Sequence, residues 1–153
     1  MPYWRTFYHI VWTTKHRAPL ITPDMETVIF PSIAHRAREL GAVVYALNGV
    51  ADHVHLVAAI PPRLAVAPFV GELKGRSSFI VGTKLNVVFA WQTGYGVHTF
   101  GEKHLPWVIA YVEQQKEHHA AQTINHRLEA SLEDDDGPPP VIPDRAIDDP
   151  SEE

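Results

Sequence analysis

The stretch VVYALNGVADHVHLVAAI (residues 43–60) contains two runs rich in β-branched and apolar residues, separated by Ala51 and Asp52. Two such runs on either side of a short turn are typical of paired strands. We therefore predict a hairpin with strands at residues 43–50 and 53–60, the second of which ends at Pro61-Pro62. The elements on either side of this hairpin decide the fold class.

Outside the hairpin, hydrophobic periodicity and the positions of Pro and Gly predict five further elements. They are a strand at residues 3–14, a helix from Pro23 to a glycine cap at Gly41, a helix at about 65–80, strand material at 87–99 and a helix at about 105–122. Pro31 predicts a kink or a restart in the first helix. The order of the first six elements is that of ferredoxin-like folds. We therefore expect an α+β protein, a ferredoxin-like βαββαβ sandwich with an additional C-terminal helix.

The composition limits the kinds of site that the chain can build. At 153 residues it can form one core without disulfides, and it contains no cysteine, which excludes thiolate nucleophiles and cysteine-based zinc sites. No apolar run approaches the roughly 18 residues of a membrane span. The sequence thus predicts a soluble, cytoplasmic protein in which any metal is bound by imidazole, carboxylate or amide ligands.

Charge divides the chain into a basic body and an acidic tail. Residues 1–128 hold twelve Lys or Arg and eight Asp or Glu, a net charge of +4, whereas residues 129–153 hold one and ten, a net charge of -9. We predict a single domain at 1–128 that presents a phosphate-binding surface, followed by a disordered Pro-rich tail at 129–153. The tail is either a solubilising end or a DNA mimic that competes for the basic surface.

His53 and His55 are two residues apart in the second strand of the hairpin. Alternate residues of a strand point to the same face, so both imidazoles share one face while Val54 and Leu56 point the other way. Two imidazoles about 6–7 Å apart on a strand can bind a single ion. Because the pattern is short and common, a pair of ordinary strand histidines also explains it.

Tyr111 and Gln115 lie four residues apart in the last predicted helix, one turn from each other on the same face. The alternative is an amphipathic helix with Tyr111 half buried and Gln115 in water. His118 and His119 follow two turns after the tyrosine on roughly the same face. Either histidine could assist the tyrosine, or both are solvated surface residues.

Two short segments concentrate groups that can contact backbone phosphates. One segment contains Lys15 and Arg17, and the other contains Lys74, Arg76 and Ser77. We predict DNA contacts by these five residues, with a solvated surface as the competing explanation.

Five segments together resemble the small single-tyrosine transposases of bacterial insertion sequences, members of the HUH endonuclease superfamily. They are HIVWTTK (9–15), DHVHLV (52–57), LKGRSS (73–78), WQTGYGV (91–97) and YVEQQ (111–115) with His118-His119 after it. In order and rough spacing the resemblance covers about residues 3–122.

The resemblance implies that Tyr111 is the catalytic nucleophile and that His53, His55 and Gln115 bind a divalent metal, Mg²⁺ or Mn²⁺. It implies a DNA transposase and nicking endonuclease that recognises hairpin-bearing DNA ends. Such an enzyme cleaves and rejoins single-stranded DNA through a 5'-phosphotyrosine intermediate. The resemblance also implies a nucleoid-associated homodimer, in which the tyrosine acts in its own subunit or in its neighbour's.

Two rival functions remain open. A domesticated hairpin-binding protein would keep the fold without cleaving DNA. A metal-dependent hydrolase of small phosphates would keep the ion but would not need Tyr111.

Overall fold

A computed structural model describes residues 2–122 together with Asn125 and Glu129. Eight main elements follow one another along the chain. They are β1 (Phe7–Thr13), α1 (Pro23–Glu39), β2 (Val43–Val50), β3 (His53–Ala59), α2 (Val66–Leu85), β4 (Gly96–Phe100), α3 (Leu105–Glu113) and α4 (Gln115–Ala121). The predicted βαββαβ order is confirmed, and helices follow it at the C-terminal side.

The four strands form one antiparallel sheet in the order β2-β3-β1-β4. The hairpin forms where it was predicted, with Val50 paired to His53 across the turn. This strand order, with β3 and β1 at the centre, is the ferredoxin-like arrangement expected from the sequence. The two central strands therefore carry the side chains that are covered most completely.

The sheet separates two apolar layers. On one face, Ile10 and Trp12 of β1 and Val54 and Leu56 of β3 pack with α1 and α2 in the main core. On the other face, Val57 and residues of α3 form a smaller cluster, and α4 lies against β2 on the same face. The alternation of side chains along β3 thus turns His53 and His55 toward α3 and α4.

Two elements differ from their predicted form. Pro31 lies inside α1 without ending it, because Ile29 and Ile33 continue one fully buried apolar face across the proline. The strand material predicted at 87–99 pairs as a strand only from Gly96 onward, since Gly94 has a φ of 93° and turns the chain there.

The predicted last helix is divided into α3 and α4. Gln114 has φ -100° and ψ 20°, outside the helical region, and separates the two. Tyr111 and Gln115 therefore lie on consecutive helices. Both side chains nevertheless turn inward, with 6% and 0% of their surface exposed.

Within the described part of the chain, no helix has the length and apolar character required to cross a bilayer. The predicted acidic tail lies outside the described residues except for its first residue, Glu129.

Candidate active site

The two histidines of β3 are buried against the α3–α4 layer. His53 is 5% exposed and His55 is 0% exposed, and their rings meet edge to face with centroids 5.1 Å apart. Val54 and Leu56 point into the main core, as the alternation predicted. The pair is therefore held rigidly at the centre of the sheet.

Tyr111 reaches the same place from α3 of the same chain. Its ring packs against Val57 and Val112, and its centroid lies 6.3 Å from that of His55. The hydroxyl is not sealed among apolar groups, because it donates to Glu129 Oε1 at 2.7 Å and accepts from the backbone N–H of Asn125 at 2.8 Å. The tyrosine and the histidine pair thus converge within one chain.

Glu129 joins the tyrosine to the histidines. Its Oε2 lies 2.9 Å from His55 Nε2 and 3.0 Å from His53 Nε2, while its Oε1 lies 3.4 Å from His119 Nε2. Burial works to raise the pKa of this carboxyl, but the contacts with His53 and His55 outweigh burial and hold the pKa well below its ordinary range. The side chain therefore remains an anion among imidazoles.

Asp52 fixes the orientation of His53. Its Oδ1 lies 2.6 Å from His53 Nδ1, and since a carboxylate only accepts, the ring donates its Nδ1–H. Burial lowers the pKa of His53, but the contacts with Glu129 and Asp52 outweigh it and raise the pKa above its ordinary value. Nε2 has no hydrogen-bond partner among the described residues and is buried.

His9 of β1 fixes His55 in a comparable way. Its Nε2 lies 2.7 Å from His55 Nδ1, the two rings stack at 5.0 Å, and neither side chain is exposed. On its other side His9 stacks on His98 of β4 at 5.8 Å. Burial, followed by the proximity of His55 and His98, lowers the pKa of His9 well below its ordinary value. Burial also lowers the pKa of His55, despite the opposing effect of Glu129.

The helix α4 contributes two further side chains. Gln115 is fully buried, with its Nε2 3.5 Å from the carbonyl oxygen of Tyr111. His119 packs on His53 with ring centroids 4.8 Å apart. Gln115 Oε1 and His119 Nε2 are buried and have no hydrogen-bond partner in the described part of the chain.

These atoms fit a divalent cation. Ligand-competent atoms of His53, His55, His119 and Glu129 all lie within 4.8 Å of one another. A buried lone pair without a partner costs about 1–3 kcal/mol, and a cation is the group that satisfies several at once. The predicted ligands His53 and His55 are thus brought together, and Gln115 faces inward on the adjoining helix.

The hydroxyl of Tyr111 is strongly protonated in this environment. Burial, together with the hydrogen bond to Glu129, raises its pKa to about 12, although the N–H of Asn125 acts in the opposite direction. The tyrosine is neutral at neutral pH in this arrangement. A nucleophilic role requires that its proton be removed during the reaction.

The predicted DNA-contacting residues occupy two other regions. Lys15 and Arg17 are exposed in a turn directly after β1, close in sequence to the site. Lys74, Arg76 and Ser77 lie on α2, on the opposite face of the sheet from Tyr111.

Within α2 these three residues have different surroundings. Lys74 Nζ donates to the carbonyl oxygens of Gln92 and Gly94 at 2.6 and 2.9 Å, and burial lowers its pKa. Ser77 is fully buried and its hydroxyl accepts the indole N–H of Trp91 at 2.9 Å. Arg76 alone of the three is exposed, beside a shallow groove of about 590 Å³. DNA contact remains a prediction, and it fits Lys15, Arg17 and Arg76 better than the other two.

Sequence reasoning missed His9, Asp52 and Glu129 as residues of the site, and it named His119 only as a possible assistant of the tyrosine. His9 and Asp52 belong to the segments 9–15 and 52–57 that carry the family resemblance. The antiparallel pairing of β1 with β3 is the signal that could have placed His9 beside His55. His119 lies one turn after Gln115, a spacing that indicates a shared face. Glu129 had no local signal, since it begins a run of acidic residues typical of a solvated tail.

Comparisons with known proteins agree on one family. The sequence model of the family described as "Transposase IS200 like" matches residues 2–115. The chain is 28% identical over 122 residues to the transposase for insertion sequence element IS200 of Salmonella typhimurium, which covers 74% of this chain and 79% of that protein. It is 26% identical over 115 residues to the ISDra2 transposase TnpA of Deinococcus radiodurans, over 71% of this chain and 82% of that one.

A solved structure shares the fold. The REP-associated tyrosine transposase bound to a REP hairpin superposes with a TM-score of 0.60 at 15% identity, over 78% of this chain and 74% of that one.

Proposed function

Since the chain belongs to the IS200-like transposase family, we propose that it cleaves and rejoins single-stranded DNA through a 5'-phosphotyrosine formed on Tyr111. The observation that carries this proposal is the convergence of the Tyr111 hydroxyl with His53 and His55 around one carboxylate, at 2.7 Å from the hydroxyl and 3.0 and 2.9 Å from the imidazoles. A DNA-processing role follows from the family. The covalent step is the proposal.

In the proposed reaction the phenolic oxygen of Tyr111 attacks a backbone phosphorus. The bond from phosphorus to the 3'-oxygen breaks, the 3'-oxygen takes up a proton, and the 5'-phosphate stays on the tyrosine. Attack by a 3'-hydroxyl on this linkage releases Tyr111 and rejoins the strands without another energy source. Transfer of a strand and simple nicking therefore use the same residue.

The surrounding residues prepare the tyrosine for this step. His118 and Trp107 stack on the ring with centroids 4.7 and 5.9 Å away, and the N–H of Asn125 donates to the oxygen at 2.8 Å. Glu129 Oε1 accepts a hydrogen bond from the phenolic O–H at 2.7 Å, so an acceptor stands beside the proton that must leave when the oxygen becomes a nucleophile.

We propose that His53, His55 and Gln115 hold a divalent ion, Mg²⁺ or Mn²⁺. When bound, such an ion supplies Lewis acidity toward a phosphate oxygen. Imidazole ligands suit Mn²⁺ better than Mg²⁺, so Mn²⁺ is expected to bind more tightly.

The proposed substrate is hairpin-bearing single-stranded DNA. One protein of the same fold is bound to a REP hairpin, and this chain has a body of net charge +4. We propose that Lys15 and Arg17, in the turn directly after β1, contact phosphates of this DNA, as does Arg76 on α2. A homodimer and a nucleoid-associated location stay predictions.

A single assay tests the covalent step. The full chain is incubated with Mn²⁺ and a labelled single-stranded hairpin DNA, and the products are separated on a denaturing gel. We expect a protein–DNA adduct that disappears in Tyr111→Phe and persists in Tyr45→Phe, a tyrosine of β2 that is 37% exposed. Hairpin binding without any adduct would instead indicate a domesticated binding protein. Phosphatase activity that survives Tyr111→Phe would indicate a small-phosphate hydrolase.

A further inference from the structure

We propose that Glu129 and His119 are ligands of the divalent ion, so that His53 and His55 bind it together with a third imidazole and a carboxylate. The inference rests on the metal site of the proposed function. It adds Glu129 and His119 to the ligands proposed there. It assigns a metal-binding role to a residue that the sequence placed at the start of the acidic tail.

The spacing of the four side chains is the first argument. Ligands that lie about 2.0–2.2 Å from an ion are separated from each other by about 3–4.4 Å. Glu129 Oε2 lies 3.0 and 2.9 Å from Nε2 of His53 and His55, and Oε1 lies 3.4 Å from His119 Nε2. The ligand atoms of the whole group fall within 4.8 Å of one another. The carboxylate thus stands at distances that neighbouring ligands of one ion adopt.

The direction of the lone pairs is the second argument. Because His53 donates its Nδ1–H to Asp52, neutral His53 presents a lone pair at Nε2 toward a carboxylate that also only accepts. The 3.0 Å approach does not satisfy hydrogen-bond geometry, and Nε2 of His53 and of His119 lacks a hydrogen-bond partner among the described residues. His55 Nε2 does form a hydrogen bond with Glu129 Oε2 at 2.9 Å, so this argument concerns His53 and His119. Two ligands of one ion approach each other off-axis in this manner, since each points at the ion. A cation between the imidazole nitrogen and the carboxylate would turn this contact of two acceptors into two ligand bonds.

Charge is the third argument. The Glu129 side chain is only 12% exposed, and a buried anion needs a compensating charge. Mixed imidazole and carboxylate sets with open positions suit divalent ions such as Mn²⁺. The same carboxylate holds the Tyr111 hydroxyl at 2.7 Å, so one side chain links the ion to the nucleophile.

Isothermal titration of Mn²⁺ into the metal-free full chain tests the proposal without relying on activity. We expect Glu129→Gln and His119→Asn each to weaken binding at least tenfold, which corresponds to about 1.4 kcal/mol. Glu117→Gln and His35→Asn, exposed residues of α4 and α1, should leave the affinity unchanged. A cooperative urea unfolding transition of each variant, measured in the presence of chelator, shows that the metal-free variant is folded.

The outcomes separate this inference from the proposed function. Unchanged Mn²⁺ affinity in Glu129→Gln, with binding lost in His53→Ala, overturns the ligand role and leaves the DNA reaction standing. A higher adduct yield in Glu129→Gln at unchanged affinity also overturns it, and identifies Glu129 as a group that blocks the site. Weakened binding in both variants together with no Tyr111 adduct in the wild type supports the ligand set and refutes the covalent mechanism.

Discussion

Replacement of His9 by leucine tests whether the proposed metal site depends on a residue that is not itself a proposed ligand. His9 Nε2 meets His55 Nδ1 at 2.7 Å in a fully buried stack. With an ion on His55 Nε2, the proton of that ring is on Nδ1 and is donated to His9. Leucine has a comparable size but no acceptor, so His55 loses the partner that sets its tautomer and ring orientation.

Two magnitudes follow from this contact. Loss of a group that hydrogen-bonds to a metal ligand typically costs about 10–100-fold in metal affinity, or about 1.4–2.7 kcal/mol. The free energy of unfolding of the metal-free chain should fall as well, because a buried ring nitrogen left unsatisfied costs about 1–3 kcal/mol. His9→Gln, which keeps donor and acceptor groups, should lose less of both.

The two quantities are measured by Mn²⁺ titration calorimetry and by urea unfolding in chelator. His35→Leu on the exposed side of α1 is the matched control and should change neither. Wild-type Mn²⁺ affinity in a folded His9→Leu would refute the reasoning, since the 2.7 Å contact would then have no influence on His55.

Three further predictions concern stability and DNA binding. Burial lowers the pKa of His9 and His55, so below an unfolded-state pKa of about 6.5 the unfolded chain binds protons that the folded chain does not. The free energy of unfolding in chelator should therefore fall from pH 7 to pH 5, by up to about 1.4 kcal/mol per pH unit for each of these two histidines. The raised pKa of His53 acts in the opposite direction and reduces the fall. A flat or rising profile contradicts this prediction. Ser77→Ala should lower the free energy of unfolding by about 1–2 kcal/mol and leave DNA affinity unchanged. Arg76→Ala should weaken DNA binding and reduce the salt slope by about 1, and anisotropy titrations at several salt concentrations distinguish the two variants.

Hydrophobic periodicity was sufficient to predict the fold. The hairpin at residues 43–60 and the order of the elements are local signals, and the antiparallel sheet confirms them. The break at Gln114 carries no such signal, because neither Gly nor Pro marks it. The start of the strand after α2 depends on the positive φ of Gly94. Glycine permits a positive φ but does not require it, so the sequence does not fix this position.

The site was predictable only where its residues are close in sequence. The shared face of His53 and His55, and that of Tyr111 and Gln115, follow from periods of two and four residues, whereas the roles predicted for them came from the family resemblance. The contact of His9 with His55 spans 46 residues and that of Glu129 with His55 spans 74, so no local pattern encodes them. Strand register encodes the first contact, whereas the second depends on the path of the chain after α4.

Four imidazoles, those of His9, His53, His55 and His98, project from the same side of three adjoining strands. Insertion or deletion of one residue within β1 or β3 would turn every following residue of that strand to the opposite face of the sheet. An imidazole would then point into the main core, and a residue such as Ile10 would point into the candidate site. A change of two residues restores the original sides. A change of odd length in these strands can therefore keep the imidazoles on one side only where a β-bulge absorbs the extra residue, as the register shift between Val44 and Ala46 does in β2.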